Sequence, residues 1–139
     1  MAKYVFEVLE LAAKQRLKED KIKVLKENET WALKDVLRGT FDSKVQWLLP
    51  KGEVPYEPSE EYNHPANLLR ENTKFRYFAK GSPQAEQLPS YKRERLFLGM
   101  LEGVHPKDAL VLVNMINKEP PKYITRPIVE EAFPGLLKD

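Results

Sequence analysis

The chain contains no cysteine, which removes disulfide frameworks, thiolate metal sites and cysteine nucleophiles together and suits a reducing compartment. Histidine is nearly as scarce. His64 and His105 stand 41 positions apart, each followed by proline. They form no HxxxH or HExxH pair, and each His-Pro step reads as a device for starting a helix, so no metal site is expected. Long apolar runs are missing too. Ala109 to Val113 is the longest, far short of the ~20 residues of a membrane span, and the N-terminus has no charged-then-apolar signal pattern. A cytoplasmic protein without membrane contact is therefore expected. Glycine occurs six times and never as GxxxxGK[ST] or GxGxxG, so no phosphate-cradling loop is present. Ser43, Ser59, Ser82 and Ser90 lack the glycine elbow of a nucleophile. Glu60-Glu61 and Glu130-Glu131 are adjacent pairs whose carboxylates point apart; the second pair suits the first turn of a helix. No catalytic residue and no cofactor is expected.

What the chain does have is helical patterning in amounts that fit one domain over residues 1–139: 42% hydrophobic and 32% charged residues make an ordinary globular composition. Tyr4, Val5, Val8, Leu9, Leu11, Ala12 and Ala13 predict a helix from Lys3 to about Leu17. A second covers Leu17 to Glu27. Thr30 can cap a third through Trp31, Leu33, Val36 and Leu37, with Gly39 placed to end it. The eleven prolines cluster and divide the rest. Residues 50–63 read as a long polar loop. Pro65 suits a helix start, with Leu68, Leu69, Phe75 and Phe78 on one face and Gly81 as its end. Residues 81–89 form another loop. Ser90 can cap Tyr91 to Glu102, whose stripe is Leu96, Phe97, Met100, Leu101 and Val104, with Gly99 allowing a close helix contact. Pro106 opens a helix apolar nearly all round, including Leu110, Val111 and Met115. Thr125 and Pro127 open the last, closed by Pro134-Gly135. No strand alternation is found. The expectation is an all-α fold of about seven or eight helices.

The net charge of +2 is too small to announce a nucleic-acid binder, but it is unevenly spread. Residues 51–73 carry two basic and five acidic groups, and residues 74–95 six basic and two acidic. Aromatics interleave with the cations of the second stretch: Phe75, Arg76, Tyr77, Phe78, Lys80, then Tyr91, Lys92, Arg93. Such patterns bind nucleic acid by stacking and phosphate contact. Lys118, Lys122, Tyr123 and Arg126 precede a helix N-terminus, where unpaired N–H groups favour phosphate.

Three pieces together resemble the N-terminal helical DNA-binding domain of ATP-dependent DNA ligases from T-even-like phages. They are Tyr4 to Glu27, similar to its opening helical pair; Val36 to Trp47, similar to its third helix, aromatic turn and following short helix; and Ile124 to Leu137, where Ile128 and Phe133-Pro134-Gly135-Leu136 match its close. Lys92 to Lys118 looks like the last two long helices of that domain. The chain is also similar to small proteins of such phages, including cyanophages. In the ligases this domain grips duplex DNA around a nick, and an adenylation domain carrying Lys-x-Asp-Gly follows. This chain lacks that motif, so the resemblance implies a stand-alone relative without ligase chemistry. It departs from the pattern at Pro120, Pro121, Lys122 and Tyr123, where the family has glycine and small polar residues, and at Glu130 and Glu131.

These readings combine into one expectation: a non-enzymatic phage accessory protein that binds duplex or nicked DNA in the host cytoplasm, in replication, repair or recombination. Lys74, Arg76, Lys80, Lys92, Arg93, Lys118, Lys122 and Arg126 would contact phosphate. The rival expectation is an adapter for a phage or host protein on the same scaffold, favoured by the near-neutral charge and the acidic 53–71 stretch.

Overall fold

The computed structural model describes residues 3–139, and all regular elements among them are helical. In chain order they are α1 (Val5–Lys14), α2 (Lys18–Glu27), α3 (Trp31–Phe41), α4 (Leu68–Glu71) running into a 3-10 segment (Asn72–Tyr77), α5 (Pro83–Glu86), α6 (Ser90–Gly103), α7 (Pro106–Ile116) and α8 (Arg126–Ala132). The only β pairing among these residues is two isolated bridges, Trp47 with Ala79 and Glu60 with Asn63. The fold is an all-α single domain, with eight α-helices among the described residues. None of them is long and apolar enough to cross a membrane.

Helix α7 is the axis of the packing. It lies against α1, α3 and α6, while α2 packs between α1 and α8. Ala109, Leu112, Met115 and Ile116 of α7 are buried with Val5, Leu33, Leu37, Phe97, Leu101 and Val129 in one continuous core. Several helix starts are set by local chemistry that the sequence announces. The Thr30 hydroxyl accepts the Leu33 N–H at 3.1 Å to open α3. Pro106 stands in the first turn of α7, and His105 Nδ1 accepts the Lys107 N–H at 3.1 Å, as the His-Pro reading requires. The Asn67 side-chain Oδ1 accepts the Leu69 N–H at 3.0 Å to open α4.

Elsewhere packing overrides local expectation. Gly39 does not end α3, which continues to Phe41. It stays glycine because an added Cβ would lie 2.5 Å from Trp47 Cζ2 and 2.9 Å from Met115 Sδ. The close approach assigned to Gly99 belongs to Gly103, where a Cβ would meet that of Ala66 at 3.3 Å; nothing stands within 4 Å of one at Gly99. Leu110 is 58% exposed, so α7 is not buried all round. The first helix is shorter than expected, with Gln15 already extended. Ser90 is inside α6, and Pro89 holds the cap position. The 81–89 loop contains α5, and Pro65 precedes rather than opens α4. The short helix that the resemblance implies after α3 is absent, since residues 42–49 hold no helix.

The long segment between α3 and α4 is extended but fastened. Asn117 binds both sides of Gly52, accepting its N–H at 2.6 Å and donating to its carbonyl at 3.1 Å. The Glu57 N–H donates to Glu102, the Ser59 hydroxyl to the Val104 carbonyl, and the Ala66 N–H to the Gly103 carbonyl. The segment is a strap across α6 and the end of α7.

Candidate nucleic-acid interface

The eight basic residues singled out from the sequence divide into two physical kinds. Arg93, Lys118 and Arg126 are used internally. The Arg93 guanidinium donates to the carbonyls of Ala85 at 2.8 Å, Leu88 at 2.9 Å and Leu48 at 3.4 Å, holding α5 and its exit to the start of the strap. Lys118 Nζ donates to the carbonyls of Gly39 at 2.7 Å and Asp42 at 2.9 Å. Arg126 donates to the Phe41 carbonyl at 3.1 Å and pairs with Asp139, whose carboxylate also accepts the N–H and hydroxyl of Ser43. The last carbonyls of a helix have no partner within it. Lys118 and Arg126 supply those partners for α3 from far along the chain. Burial lowers the pKa of Lys118, with the neighbouring Asp42 opposing. Arg126, then Ser43, holds the Asp139 carboxyl well below the usual range.

Lys74, Arg76, Lys80, Lys92 and Lys122 are exposed. Lys92 stands on the first turn of α6. Lys122 lies over the Tyr123 ring, 5.0 Å from its centroid, with Lys21 at 5.6 Å from the same ring. The other three come from one short stretch. Lys74 and Arg76 are on the 3-10 segment, and Lys80 follows the Trp47–Ala79 bridge, its N–H bonded to the Gln46 carbonyl at 2.8 Å.

That stretch borders a pocket of about 300 Å³ between α3 and the 3-10 segment, lined by Asp35, Arg38, Trp47, Asn72, Phe75 and Arg76 among others. Trp47 is fixed by donating Nε1–H to the Gly39 carbonyl at 3.0 Å and by edge-on contact with Phe75 at 5.9 Å. Asn72 donates to Asp35 at 2.7 Å. Arg76 donates Nε–H to the Thr73 carbonyl at 2.8 Å, and Arg38 Nε faces buried Asp42 at 4.0 Å without a hydrogen bond. Their terminal nitrogens make no hydrogen bond within the described residues. Two guanidinium forks on one concavity can take a phosphate bidentately. Arg38 escapes a search for basic runs, since it lies 36 residues before Lys74. Its spacing from Asp35 and Asp42 on one helix is the only sequence sign of its setting.

The structure also joins what the sequence keeps apart. His64 and His105 meet with ring centroids at 5.5 Å, in a cluster with Tyr4 and Phe6. A carbonyl can only accept, so His64 donates Nδ1–H to Ala66 O at 2.9 Å, and its Nε2 accepts the Tyr4 hydroxyl at 3.1 Å. Beside them Asp108 is wholly buried. One of its oxygens accepts the Phe6 N–H at 2.9 Å and the other has no partner. Burial pushes its pKa up to about 6, against the Phe6 hydrogen bond. The pKa of His105 is lowered, by burial first and then by His64. No three potential metal ligands converge among the described residues. On the far side of Phe6 an apolar groove of about 290 Å³ runs between α1, α3 and α7, with Leu9, Ala13, Leu110 and Val111 in its walls.

A family described as one of unknown function (DUF6433) matches residues 8–121. That span contains Arg38, Trp47, Lys74, Arg76 and Lys80 and stops short of Tyr123 and Arg126. No curated protein matches the chain.

Proposed function

We propose that this chain, which belongs to the DUF6433 family, is a non-enzymatic accessory protein that holds duplex or nicked DNA through its phosphates. The observation that carries this reading is the pair Arg38 and Arg76 on one pocket, each with unbonded terminal nitrogens, beside exposed Lys74 and Lys80. The likeness to the helical domain of phage DNA ligases supports it and suggests work in replication, repair or recombination. Arg93, Lys118 and Arg126 leave the proposed contact set because backbone carbonyls occupy them. Phosphate contacts from the four groups at the pocket, Arg38, Lys74, Arg76 and Lys80, would give a log–log salt slope of about −3.6, before any contribution from exposed Lys92 and Lys122.

The test is fluorescence anisotropy with labelled intact, nicked and single-stranded DNA at two salt concentrations. Micromolar binding that weakens steeply with salt, and falls at least about tenfold in an Arg38→Ala/Arg76→Ala variant, is expected. No binding at low salt would overturn the reading. A mass increase on incubation with ATP, from adenylylation, would overturn its non-enzymatic part. The apolar groove with exposed Leu110 favours a second reading, an adapter for a phage or host protein; a salt-insensitive protein complex lost in Leu110→Asp is what that reading requires.

A further inference from the structure

Trp31 occupies the first position of α3 and is 72% exposed. It is not in loose surroundings. Lys34 Nζ lies 3.9 Å from the centre of its ring, and the same ammonium is paired with Glu29 at 3.3 Å. One face of the indole thus carries a cation–π contact, and most of the side chain stays open to solvent. Helical spacing then places Trp31 in line with Asp35 and Arg38, at i, i+4 and i+7. Asp35 and Arg38 are walls of the arginine pocket. The exposed indole and Arg38 therefore share one face of α3, and Arg76 joins Arg38 from the 3-10 segment.

The length of that face limits what fits. Seven residues rise about 10 Å along a helix, room for a short run of extended strand between the indole and the guanidinium groups. Within a duplex both faces of each interior base are already stacked, so away from the ends an indole has no base to meet. An unpaired strand offers base faces and phosphates together. A protein partner would use the indole with no need of two guanidinium forks on an adjoining pocket, and the positive charge of Arg38 and Arg76 complements a phosphate chain.

We infer that Trp31 is a stacking platform for an unpaired base, so that the α3 face takes single-stranded nucleic acid, with Arg38 and Arg76 on neighbouring phosphates. This rests on the nucleic-acid reading above and narrows it to strands with unpaired bases. The site would select gaps, flaps or melted ends over intact duplex.

The experiment compares a fluorescein-labelled thymidine oligonucleotide with a blunt duplex of the same length, by anisotropy, on the full chain and on Trp31→Ala and Trp31→Phe. Stacking on an aromatic side chain corresponds to a loss of about 5- to 150-fold on truncation. Trp31→Ala should weaken single-strand binding by that factor and leave duplex binding within about twofold. Trp31→Phe should recover most of the loss, and quenching of intrinsic fluorescence by the oligonucleotide should shrink in it. Because Trp31 is at the surface, both variants should keep the fold, and the unchanged duplex affinity reports that they do. If Trp31→Ala weakens both DNAs alike, or neither, the stacking inference is overturned while the duplex-binding reading stands. If the unsubstituted chain binds neither DNA at low salt, both fall, and the exposed indole belongs to a protein contact.

Discussion

Asp108 makes the sharpest thermodynamic prediction. Its carboxyl is buried, holds the N-terminus of α1 through the Phe6 N–H, and keeps one oxygen without a partner. Burial raises its pKa from 3.8 to about 6, so the folded state prefers the protonated acid. The sign follows from linkage. The stabilising effect is complete below pH about 3.8 and is lost as pH rises through about 6. At about 1.4 kcal/mol per pH unit, ionisation in the fold costs at most about 3 kcal/mol at neutral pH. Asp108→Asn keeps a carbonyl oxygen for Phe6 and cannot ionise. It should match the unsubstituted protein at pH 4 and exceed it by up to about 3 kcal/mol at pH 8, with most of the change between pH 4 and 6. Urea titrations across that range, read by far-ultraviolet circular dichroism, measure the difference directly. A gap that does not change with pH, or an Asp108→Asn protein less stable at pH 8, would refute the reasoning. Asp108→Ala, which also removes the α1 cap, should lose about 1 kcal/mol at pH 4.

Three further outcomes follow from the same packing. The lowered pKa of His105 means that stability is lost as pH falls below about 6.5. His105→Asn, which can still accept the Lys107 N–H, should gain on the unsubstituted protein between pH 7 and 5, and a parallel pair of pH–stability curves would contradict this. Gly39→Ala should destabilise by about 1–3 kcal/mol through overpacking and alter Trp47 fluorescence, whereas Gly99→Ala, with open space around it, should stabilise by about 0.5–1 kcal/mol; thermal melts that rank the two the other way would undo the assignment. Arg93→Ala should cost about 2–3 kcal/mol because the carbonyls of Ala85 and Leu88 lose a charged donor, while its neighbour Lys92→Ala should change stability by less than about 0.5 kcal/mol, a contrast that equal midpoints in urea would erase.

Features that depend on near neighbours in sequence are legible before folding. The Thr30 cap, the His105-Pro106 start, the buried stripe of Phe97, Met100 and Leu101 and the all-α class are of this kind. Features that depend on which helix lies opposite are not. Helical periodicity marks an apolar face but not its neighbour, so sequence alone points to Gly99 where the close approach is at Gly103 against Ala66, and makes Gly39 a terminator because Trp47 and Met115 lie beyond its own helix in sequence. Leu110 fits an apolar helix by composition, yet α7 has packed faces toward α1, α3 and α6 and leaves that position outward. The basic candidates show the same division. Residue type cannot distinguish a lysine in solvent from one that reaches 79 residues back to a carbonyl, as Lys118 does. Lys74, Arg76 and Lys80 come together because they are close in sequence; Arg38 joins them only through the packing of α3 on the 3-10 segment. His64 and His105, set aside as two separate helix starters, converge because the strap brings one onto the cap of the other.

The C-terminal end of α3 has a consequence for the order in which the chain is made. Its carbonyls are satisfied by Lys118 and Arg126, which reach the Gly39 and Phe41 carbonyls across 79 and 85 residues. A ribosome adding about 5–20 residues per second needs roughly 4–16 s to deliver them after α3 has been synthesised. Through that interval the last turn of α3, the Trp47 wedge against Gly39 and the apolar sides of α1 and α3 must wait without their partners on α7 and α8. For those seconds α1 and α3 lack their closing layer, and the domain locks late, when α7 and the residues after it arrive.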